Sequence, residues 1–345
     1  MDYLEQCLRT RRRVVGASSL GYDSSQTKYP LWSQLPYVTE PGFPEALIEL
    51  VKRFDIKEIF SPNAVVWQHL HRNLAEILPE VSLANSRPFS EALNSYRSAL
   101  IEAHSVLSHP VPIASSCSPL ASISEIEMAA LVQHASMIPG MCDSEKLHAL
   151  CEIARYCDKG DIVEIGSWWG KSAFILSRLA RCYEIGNVLC VDPWSNAHLV
   201  QNEPLVDGCS AQMDADEAFT VFQINLLPHN ANHINYLRMT SVEGSEHYSN
   251  GDQVDSPSFG RTTYCGRISV LHIDGNHGYQ AVKADINSWS VFVADGGWIV
   301  IDDYRWPYGD GPKRVGDEFL ESAKLRIEVA FVQGSALFMK IRSSR

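Results

Sequence analysis

Short apolar runs alternate with helical periodicity along the last two thirds of the chain. From residue 161 onward, apolar runs bounded by turns predict strands at 161–166, 187–192, 234–239, 268–274, 298–303, 326–332 and 335–341. Between them, helical spacing predicts helices at 170–182, 214–226, 279–292 and 313–323. Such apolar strands are typical of parallel sheets covered on both faces. We therefore expect an α/β fold with a doubly wound, mostly parallel sheet and ligands at the carboxyl ends of its strands.

The first third of the chain has a strand and helix pattern of its own. Strands are predicted at 12–19 and 56–62, and helices at 41–54, 64–78 and 88–107. The stretch 108–123 is dense in proline and serine and is the best linker. We expect a small α/β domain at 1–115, a linker and helical segment at 116–160, and the main domain at 161–345. The role of the small domain stays open, with a homodimer contact as one possibility.

Composition narrows the class of protein. Hydrophobic residues make up 45% and charged residues 20% of the 345, a balance that excludes disordered and collagen-like chains. The net charge of −12 argues against a nucleic-acid partner, and no apolar stretch approaches the ~20 residues of a membrane helix. The nine cysteines form no C-x-x-C pair. We expect reduced thiols and a cytoplasmic protein without membrane contact.

A glycine turn joins the first strand of the main domain to its first helix. In V-E-I-G-S-W-W-G-K-S (163–172), Gly166 and Gly170 allow a tight turn that brings a ligand close to the backbone. Asp192 ends the next strand, where a carboxylate can accept both hydroxyls of a ribose. Dinucleotide-binding turns need a glycine where Trp168 stands, because the pyrophosphate must fit. The turn therefore favours S-adenosylmethionine (SAM) over a dinucleotide, and a packed turn without a ligand is the alternative.

Three carboxylates are expected at one rim of the sheet. Asp274 ends one predicted strand, and Asp302 and Asp303 end the next. Their mutual repulsion would be relieved by a divalent cation, and oxygen ligands suit Mg²⁺, Mn²⁺ or Ca²⁺. His277 follows in the loop over the same rim and is a candidate general base. The plainer interpretation is that the aspartates cap helices and that His277 is merely exposed.

The residues that carry these patterns resemble the class I SAM-dependent methyltransferases, and more narrowly the branch with macrocin-type sugar O-methyltransferases and cephalosporin hydroxylase-like proteins. The matching text is the glycine turn, V-D-P-W (191–194), H-I-D-G-N-H-G-Y (272–279) and G-G-W-I-V-I-D-D-Y (296–304). The resemblance covers about 145–345 and implies a seven-stranded Rossmann-like sheet.

The resemblance also implies roles for residues. It places the methionine part of SAM near Glu164, Gly166 and Ser167, the ribose at Asp192, and the adenine near Ser241 or Glu243. Trp168, Gly170, Ser172 and Asp274 complete the expected cofactor-binding set. It implies a cation, Mg²⁺ above all, on Asp274, Asp302 and Asp303, with His277 as the base that deprotonates a small-molecule acceptor.

Two departures from the family pattern bear on function. The usual G-x-G is G-S-W here, which can reshape the methionine end of the pocket. Residues 244–266 are a long polar insertion, expected to be a lid or a substrate loop. An enzyme of the same fold with other chemistry, and a non-catalytic SAM-binding or scaffold protein, remain as alternatives.

Overall fold

The computed structural model describes Cys7, Thr10, residues 12–201 and residues 203–342. The chain divides into two compact units, Met1–Arg97 and Ser98–Arg345. The domain limits at 115 and 160 remain a prediction. Within the described ranges, no helix has both the length and the apolar character needed to cross a bilayer.

The first unit contains two small parallel strand pairs. Strands β1 (Gly16–Ser18) and β2 (Trp32–Gln34) form one pair, and β3 (Glu58–Ile59) and β4 (Ser82–Leu83) form the other. The helices are α1 (Phe43–Phe54), α2 (Ala64–Ile77), α3 (Pro88–Ala92) and α4 (Asn94–Ser108), the last of which continues into the second unit. The helix predicted at 88–107 is therefore two helices, and β2 and β4 were not expected. A small core joins α1, α2 and the strands, formed by Phe43, Leu47, Val51, Leu70, Leu74 and Val81.

The second unit is built on the predicted seven-stranded sheet. In chain order its strands are β5 (Asp161–Ile165), β6 (Val188–Val191), β7 (Ile234–Leu237), then, after the hairpin β8 (Gln253–Ser256) and β9 (Gly260–Thr263), β10 (Ile268–Ile273), β11 (Val293–Ile301), β12 (Ile327–Gln333) and β13 (Ala336–Ile341). The spatial order is β12-β13-β11-β10-β5-β6-β7. β13 runs antiparallel to both of its neighbours, β11 and β12, and the other neighbouring pairs of this sheet are parallel. The doubly wound, mostly parallel fold is thereby confirmed.

Helices cover both faces of this sheet. They are α5 (Glu125–Met137), α6 (Ser144–Ala154), α7 (Lys171–Cys182), α8 (Pro204–Ser210), α9 (Ala215–Leu226), α10 (Ser241–Asn250), α11 (Tyr279–Trp289) and α12 (Gly311–Ser322). Residues of α5, α6, α7 and α9 pack on one face, and residues of α10, α11 and α12 pack on the other. Alternation along β5 sends Ile162 to the first layer and Val163 to the second. By the same alternation Glu164 lies on the face of α6.

The insertion at 244–266 is part of the core, so the prediction of a lid or substrate loop is wrong. It contributes most of α10 and the hairpin β8–β9, and the side chains of Tyr248 and Tyr264 are buried. The Tyr248 hydroxyl donates to Asp161 Oδ2 at 2.6 Å. Because Asp161 is the first residue of β5, this segment lies at the amino ends of the strands, opposite the rim where ligands are expected.

Candidate cofactor and carboxylate site

The glycine turn after β5 is packed against the loop after β10. Gly166 has φ 82°, and a Cβ atom there would lie 2.2 Å from the Asp274 carbonyl oxygen. Gly170 has φ 86°, and a Cβ atom would meet the Phe222 ring at 3.0 Å. Trp168 adopts the left-handed region as well, with φ 44°, although it is not a glycine. The turn therefore depends on glycine at two positions, and it sets the predicted cofactor residues beside Asp274.

Glu164 lies beneath this turn. It is fully buried, and its Oε2 accepts from the Ser167 hydroxyl at 2.6 Å. Its Oε1 lies 3.0 Å from Nδ1 of His272, which is also fully buried. Ser172, in the first turn of α7, is buried nearby in the sequence but does not join these contacts. The structure thus brings Glu164 and Ser167 together as expected and adds His272, which the sequence did not single out.

Asp192 ends β6 and is held by the backbone of two loops. Its Oδ2 accepts from the Trp168 N–H at 3.0 Å, and its Oδ1 accepts from the Trp194 N–H at 2.7 Å. Burial raises the pKa of Asp192, and the backbone N–H groups offset part of that rise. Each carboxylate oxygen can accept more than one hydrogen bond, so these contacts leave room for ribose hydroxyls.

The residues expected near the adenine differ in orientation. Ser241 accepts from the Trp289 indole N–H at 3.0 Å through both its carbonyl and its hydroxyl oxygen. Glu243 is exposed and closes a capping box with Thr240, whose N–H and hydroxyl it accepts at 3.0 and 2.6 Å. Asp285, which the sequence did not single out, is buried on α11, and burial raises its pKa to about 6 although a Ser241 hydrogen bond acts against the rise. Ser241 therefore faces the interior, while Glu243 caps the amino end of α10.

The rim carboxylates hold a lysine. The Lys146 ammonium lies 3.0 Å from Asp274 Oδ2 and also contacts Asp302 Oδ2. Lys146 comes from the first turn of α6, and its side chain is 1% exposed. Burial alone would lower the pKa of Lys146, but the two carboxylates hold it well above its usual value. Asp274 and Asp302 converge as predicted, and a cation from the chain itself lies between them.

Lys146 was not predicted from the sequence, although its position on the apolar face of a helix indicates a buried partner. On α6 it precedes the buried residues Ala149, Leu150 and Ile153 by three, four and seven positions, which is the spacing of one helix face. A lysine on the apolar face of a helix needs a buried partner. That requirement points to a carboxylate at the neighbouring strand ends.

The charges of the two aspartates are set by this lysine. Burial alone would raise the pKa of Asp302, but the Lys146 ammonium, together with His272 and the hydrogen bonds from Asp274 and Lys146, holds the pKa below its usual value. The other oxygen of Asp302 accepts from the Asp303 N–H at 2.9 Å and from the Ser335 hydroxyl at 3.1 Å. For Asp274, burial and then the Asp302 carboxylate raise the pKa, and Lys146 lowers it. Asp302 is thus an anchored carboxylate, and Asp274 is the less stabilised of the two.

His277 pairs with the third predicted ligand. Its Nε2 lies 3.0 Å from Asp303 Oδ2, and its ring stands edge-on to Trp306 with centroids 4.3 Å apart. Burial alone would lower the pKa of His277, but the hydrogen bond and the charge of Asp303 raise it overall. Nδ1 of His277 is buried and has no hydrogen-bond partner among the described residues. The pair has the geometry of a histidine oriented by a carboxylate.

The potential metal ligands fall into two overlapping groups in the described part of the chain. One contains His272, Asp274 and Asp302, and the other contains Asp274, His277 and Asp303. The ligand atoms within each group lie within 4.8 Å of one another. Asp274 belongs to both, so the predicted set of three aspartates is divided between them.

Two further features lie along the rim. Asn276 is a turn former: its Oδ1 accepts from the Gly278 N–H at 2.9 Å, and its Nδ2 donates to the carbonyls of His198 and Val200. It thereby ties the loop after β6 to the loop after β10. Of the aromatic and basic residues that follow Asp303, which are Tyr304, Arg305, Trp306, Tyr308, Lys313 and Arg314, Trp306 contacts the His277 ring.

Part of the chain is similar to a known protein family. Residues 163–304 match the model of a family described as a methyltransferase domain. The uncharacterized protein R132 of Acanthamoeba polyphaga mimivirus is 30% identical over 164 residues, which are 46% of this chain and 60% of that protein. The chain therefore spans about 60% of the length of this relative.

Solved structures give similarities at the level of the fold. The O-methyltransferase NovP is 15% identical with a TM-score of 0.39, over 54% of this chain and 73% of that one. The MycE methyltransferase, solved with Mg, S-adenosylhomocysteine and mycinamycin VI, is 16% identical with a TM-score of 0.40. The similarity covers 61% of this chain and 54% of MycE. The O-methyltransferase TomG of Streptomyces achromogenes is 13% identical with a TM-score of 0.38. The similarity covers 73% of this chain and 90% of TomG. Similarities this distant carry nothing about function.

The family match and the sheet order agree with each other. The matched segment contains the glycine turn, Asp192, the loop with Asp274 and His277, and the pair Asp302 and Asp303. Residues 163–304 are therefore similar to a methyltransferase domain, and the sheet order is the one that the motifs predicted.

Proposed function

We propose that the chain is a SAM-dependent methyltransferase that transfers a methyl group to a hydroxyl oxygen of a small polar acceptor. The observation that supports this most directly is the packing of Gly166 against the Asp274 carbonyl. Because of it, the predicted donor site and the predicted acceptor site share one edge of the sheet.

The donor would be held by residues of the turn and of β6. Glu164 carries a buried carboxylate suited to the methionine ammonium, and Ser167 orients that carboxylate. Asp192 would accept from the ribose hydroxyls, and Ser241 would lie near the adenine. Binding both substrates at one edge supplies much of the rate enhancement, since SAM is already an activated donor.

His277 would accept the proton of the acceptor hydroxyl. Because Asp303 lies at Nε2, the favoured neutral tautomer carries its proton on Nε2 and its lone pair on Nδ1. Nδ1 is buried and has no partner among the described residues, so its lone pair is unused; a substrate hydroxyl would donate to it once substrate binding uncovers this atom. Trp306, which contacts the ring, restricts its rotation and shields it from water.

A divalent cation, most simply Mg²⁺, is part of this proposal. Asp274, Asp302 and Asp303 offer the carboxylate oxygens that Mg²⁺ prefers, and the convergence of Asp274 and Asp302 on Lys146 is consistent with a cation position between them. When bound, the metal would lower the pKa of an acceptor hydroxyl and favour its deprotonation at neutral pH.

Binding of the donor is the first test. Calorimetric titration with SAM, S-adenosylhomocysteine and NAD should show binding of the two S-adenosyl ligands and none of NAD. Asp192→Ala should weaken SAM binding by ~1–3 kcal/mol because it removes charge-assisted hydrogen bonds. Preference for NAD, or an unchanged affinity in the variant, would contradict the assignment.

Product analysis then separates the alternatives. Incubation with SAM and a panel of hydroxylated sugars and natural-product scaffolds should release S-adenosylhomocysteine and give a product heavier by one methylene. An enzyme of the same fold with different chemistry would change an acceptor without forming S-adenosylhomocysteine. A scaffold protein would bind SAM and change no acceptor. A cytoplasmic location and a homodimer remain expectations from the sequence.

A further inference from the structure

Lys146 occupies the position in which a cation would be bound by the rim carboxylates. Its ammonium contacts one oxygen of Asp274 and one oxygen of Asp302, and its side chain is 1% exposed. The helix that carries it is fixed by the Asp143 cap, whose carboxylate accepts the Lys146 N–H at 2.7 Å. Both the backbone and the side chain of Lys146 are therefore held in place.

A second observation shows that this position suits a metal ion as well as an ammonium group. His272 is fully buried, and its Nε2 has no hydrogen-bond partner in the described part of the chain. This nitrogen lies 3.9 Å from the same Asp274 oxygen that contacts Lys146. His272, Asp274 and Asp302 thus present one nitrogen and two oxygen ligands within 4.8 Å of one another.

Lys146 and a divalent cation cannot both be bound by these two oxygens. Two positive groups sharing the same carboxylates in a buried site would repel each other strongly. Removal of the ammonium without replacement would instead leave the buried Asp302 and the partly buried Asp274 without a counter-ion, which is also unfavourable. The site is therefore stable with one cation, for which the Lys146 ammonium and a divalent metal ion compete.

We propose that Lys146 is an internal counter-ion that competes with a divalent metal ion for Asp274 and Asp302, so that metal binding there requires displacement of the ammonium group. The inference rests on the cation site of the proposed function but is independent of methyl transfer. Since one ligand is an imidazole, the site should prefer Mn²⁺ to Ca²⁺.

Manganese binding measures this competition directly. Free Mn²⁺ is counted by electron paramagnetic resonance during titration of the wild type and of Lys146→Met, which keeps an unbranched side chain one atom shorter and removes its charge. Lys146→Met should bind one Mn²⁺ at least tenfold more tightly than the wild type, and Ca²⁺ should compete weakly. The matched control is Lys283→Met, which removes a lysine on the surface of α11 that pairs with Glu318 of α12. This variant should bind Mn²⁺ as tightly as the wild type does. Equal or weaker binding by Lys146→Met would overturn the proposal.

A measurement on the wild type covers the case in which Lys146→Met does not fold. Reductive methylation with formaldehyde and cyanoborohydride, followed by peptide mass spectrometry, reports the accessibility of each lysine. Lys146 should be unreactive without metal and should become reactive at saturating Mn²⁺, while Lys283 should react equally in both. If Lys146 stays unreactive when Mn²⁺ is bound, or if the wild type takes up Mn²⁺ without any change at Lys146, the exchange does not occur. Both readouts are independent of turnover, so loss of the methyltransferase assignment would leave them valid.

Discussion

Glu164 and His272 lie directly opposite each other on the neighbouring parallel strands β5 and β10, and Oε1 of Glu164 is 3.0 Å from Nδ1 of His272. Both side chains are fully buried. Because the other nitrogen of His272 faces Asp274, this pair links the carboxylate beneath the glycine turn to the carboxylates around Lys146. The proposed donor side and the proposed acceptor side of the site are thus linked through the buried pair of Glu164 and His272.

Replacement of His277 should affect turnover and leave donor binding intact. His277→Ala removes the group whose Nδ1 would take the proton, so kcat should fall by roughly 10²–10⁴. SAM affinity by calorimetry should stay within error of the wild type, because the donor residues lie on other loops. His247→Ala, an exposed histidine of α10, is the control and should keep full activity. Wild-type turnover in His277→Ala on a confirmed acceptor would show that His277 is not the base.

Gly166→Ala should destabilise the protein. Its φ of 82° and the 2.2 Å approach of a Cβ to the Asp274 carbonyl combine backbone strain with a clash against the main chain. A loss of roughly 2 kcal/mol or more is expected. Gly208→Ala in α8 is the matched control, since a Cβ there has no atom within 4 Å, and it should be neutral or stabilising. Thermal unfolding followed by circular dichroism distinguishes the two, and equal melting temperatures would refute the close packing of this turn.

Asp285 predicts an unusual pH dependence of stability. Burial raises its pKa from 3.8 to about 6 in the folded protein. Because the folded protein binds this proton more tightly than the unfolded chain does, the raised pKa makes the protein more stable at low pH than at high pH. The contribution is complete below pH 3.8 and is lost as the pH rises through 6. Asp285→Asn, which is neutral throughout, should therefore raise the free energy of unfolding at pH 8 by up to about 3 kcal/mol. The gain should shrink between pH 6 and pH 4.

The control for Asp285 has the opposite sign. Hydrogen bonds from Lys313 and then from Tyr304 lower the pKa of Asp317 on the surface of α12. That carboxylate contributes stability above its unfolded pKa, so Asp317→Asn should lower the melting temperature slightly at pH 8. Chemical denaturation at pH 4, 6 and 8 measures both variants. A gain for Asp285→Asn that is the same at all three pH values would show that ionisation of Asp285 is not its cause.

The sheet and the meeting of its strand ends were predictable from the sequence. Apolar runs such as 161–165 and 268–273 are buried on both faces, which leaves a strong local signal for strands. The rim aspartates follow from that, because consecutive strands of a doubly wound sheet bring Asp274 and Asp302 to one edge. The pairing of Asp303 with His277 was not predicted, since it depends on the loop conformation after β11.

The position of Lys146 and the fold of the segment 244–266 could not be predicted, because they depend on contacts between distant parts of the chain. Lys146 lies on a helix that precedes the glycine turn, and a single lysine in an amphipathic helix is usually solvated. The segment 244–266 looks like a polar loop because its buried side chains, among them Val254 and Phe259, are widely spaced. Its place at the amino ends of the strands is determined by hydrogen bonds to Asp161, which no local pattern reveals.

The position of α6 has a consequence for inheritance of the site. The family match begins at residue 163, whereas the cation between Asp274 and Asp302 is supplied from residue 146. Loss of a single residue between Lys146 and Ala149 would rotate the lysine by about 100° relative to the buried face of its helix. Such a deletion would leave every matched position unchanged and still remove the positive charge that lies between Asp274 and Asp302. A descendant of this protein could therefore keep all of its methyltransferase motifs and acquire an absolute need for metal.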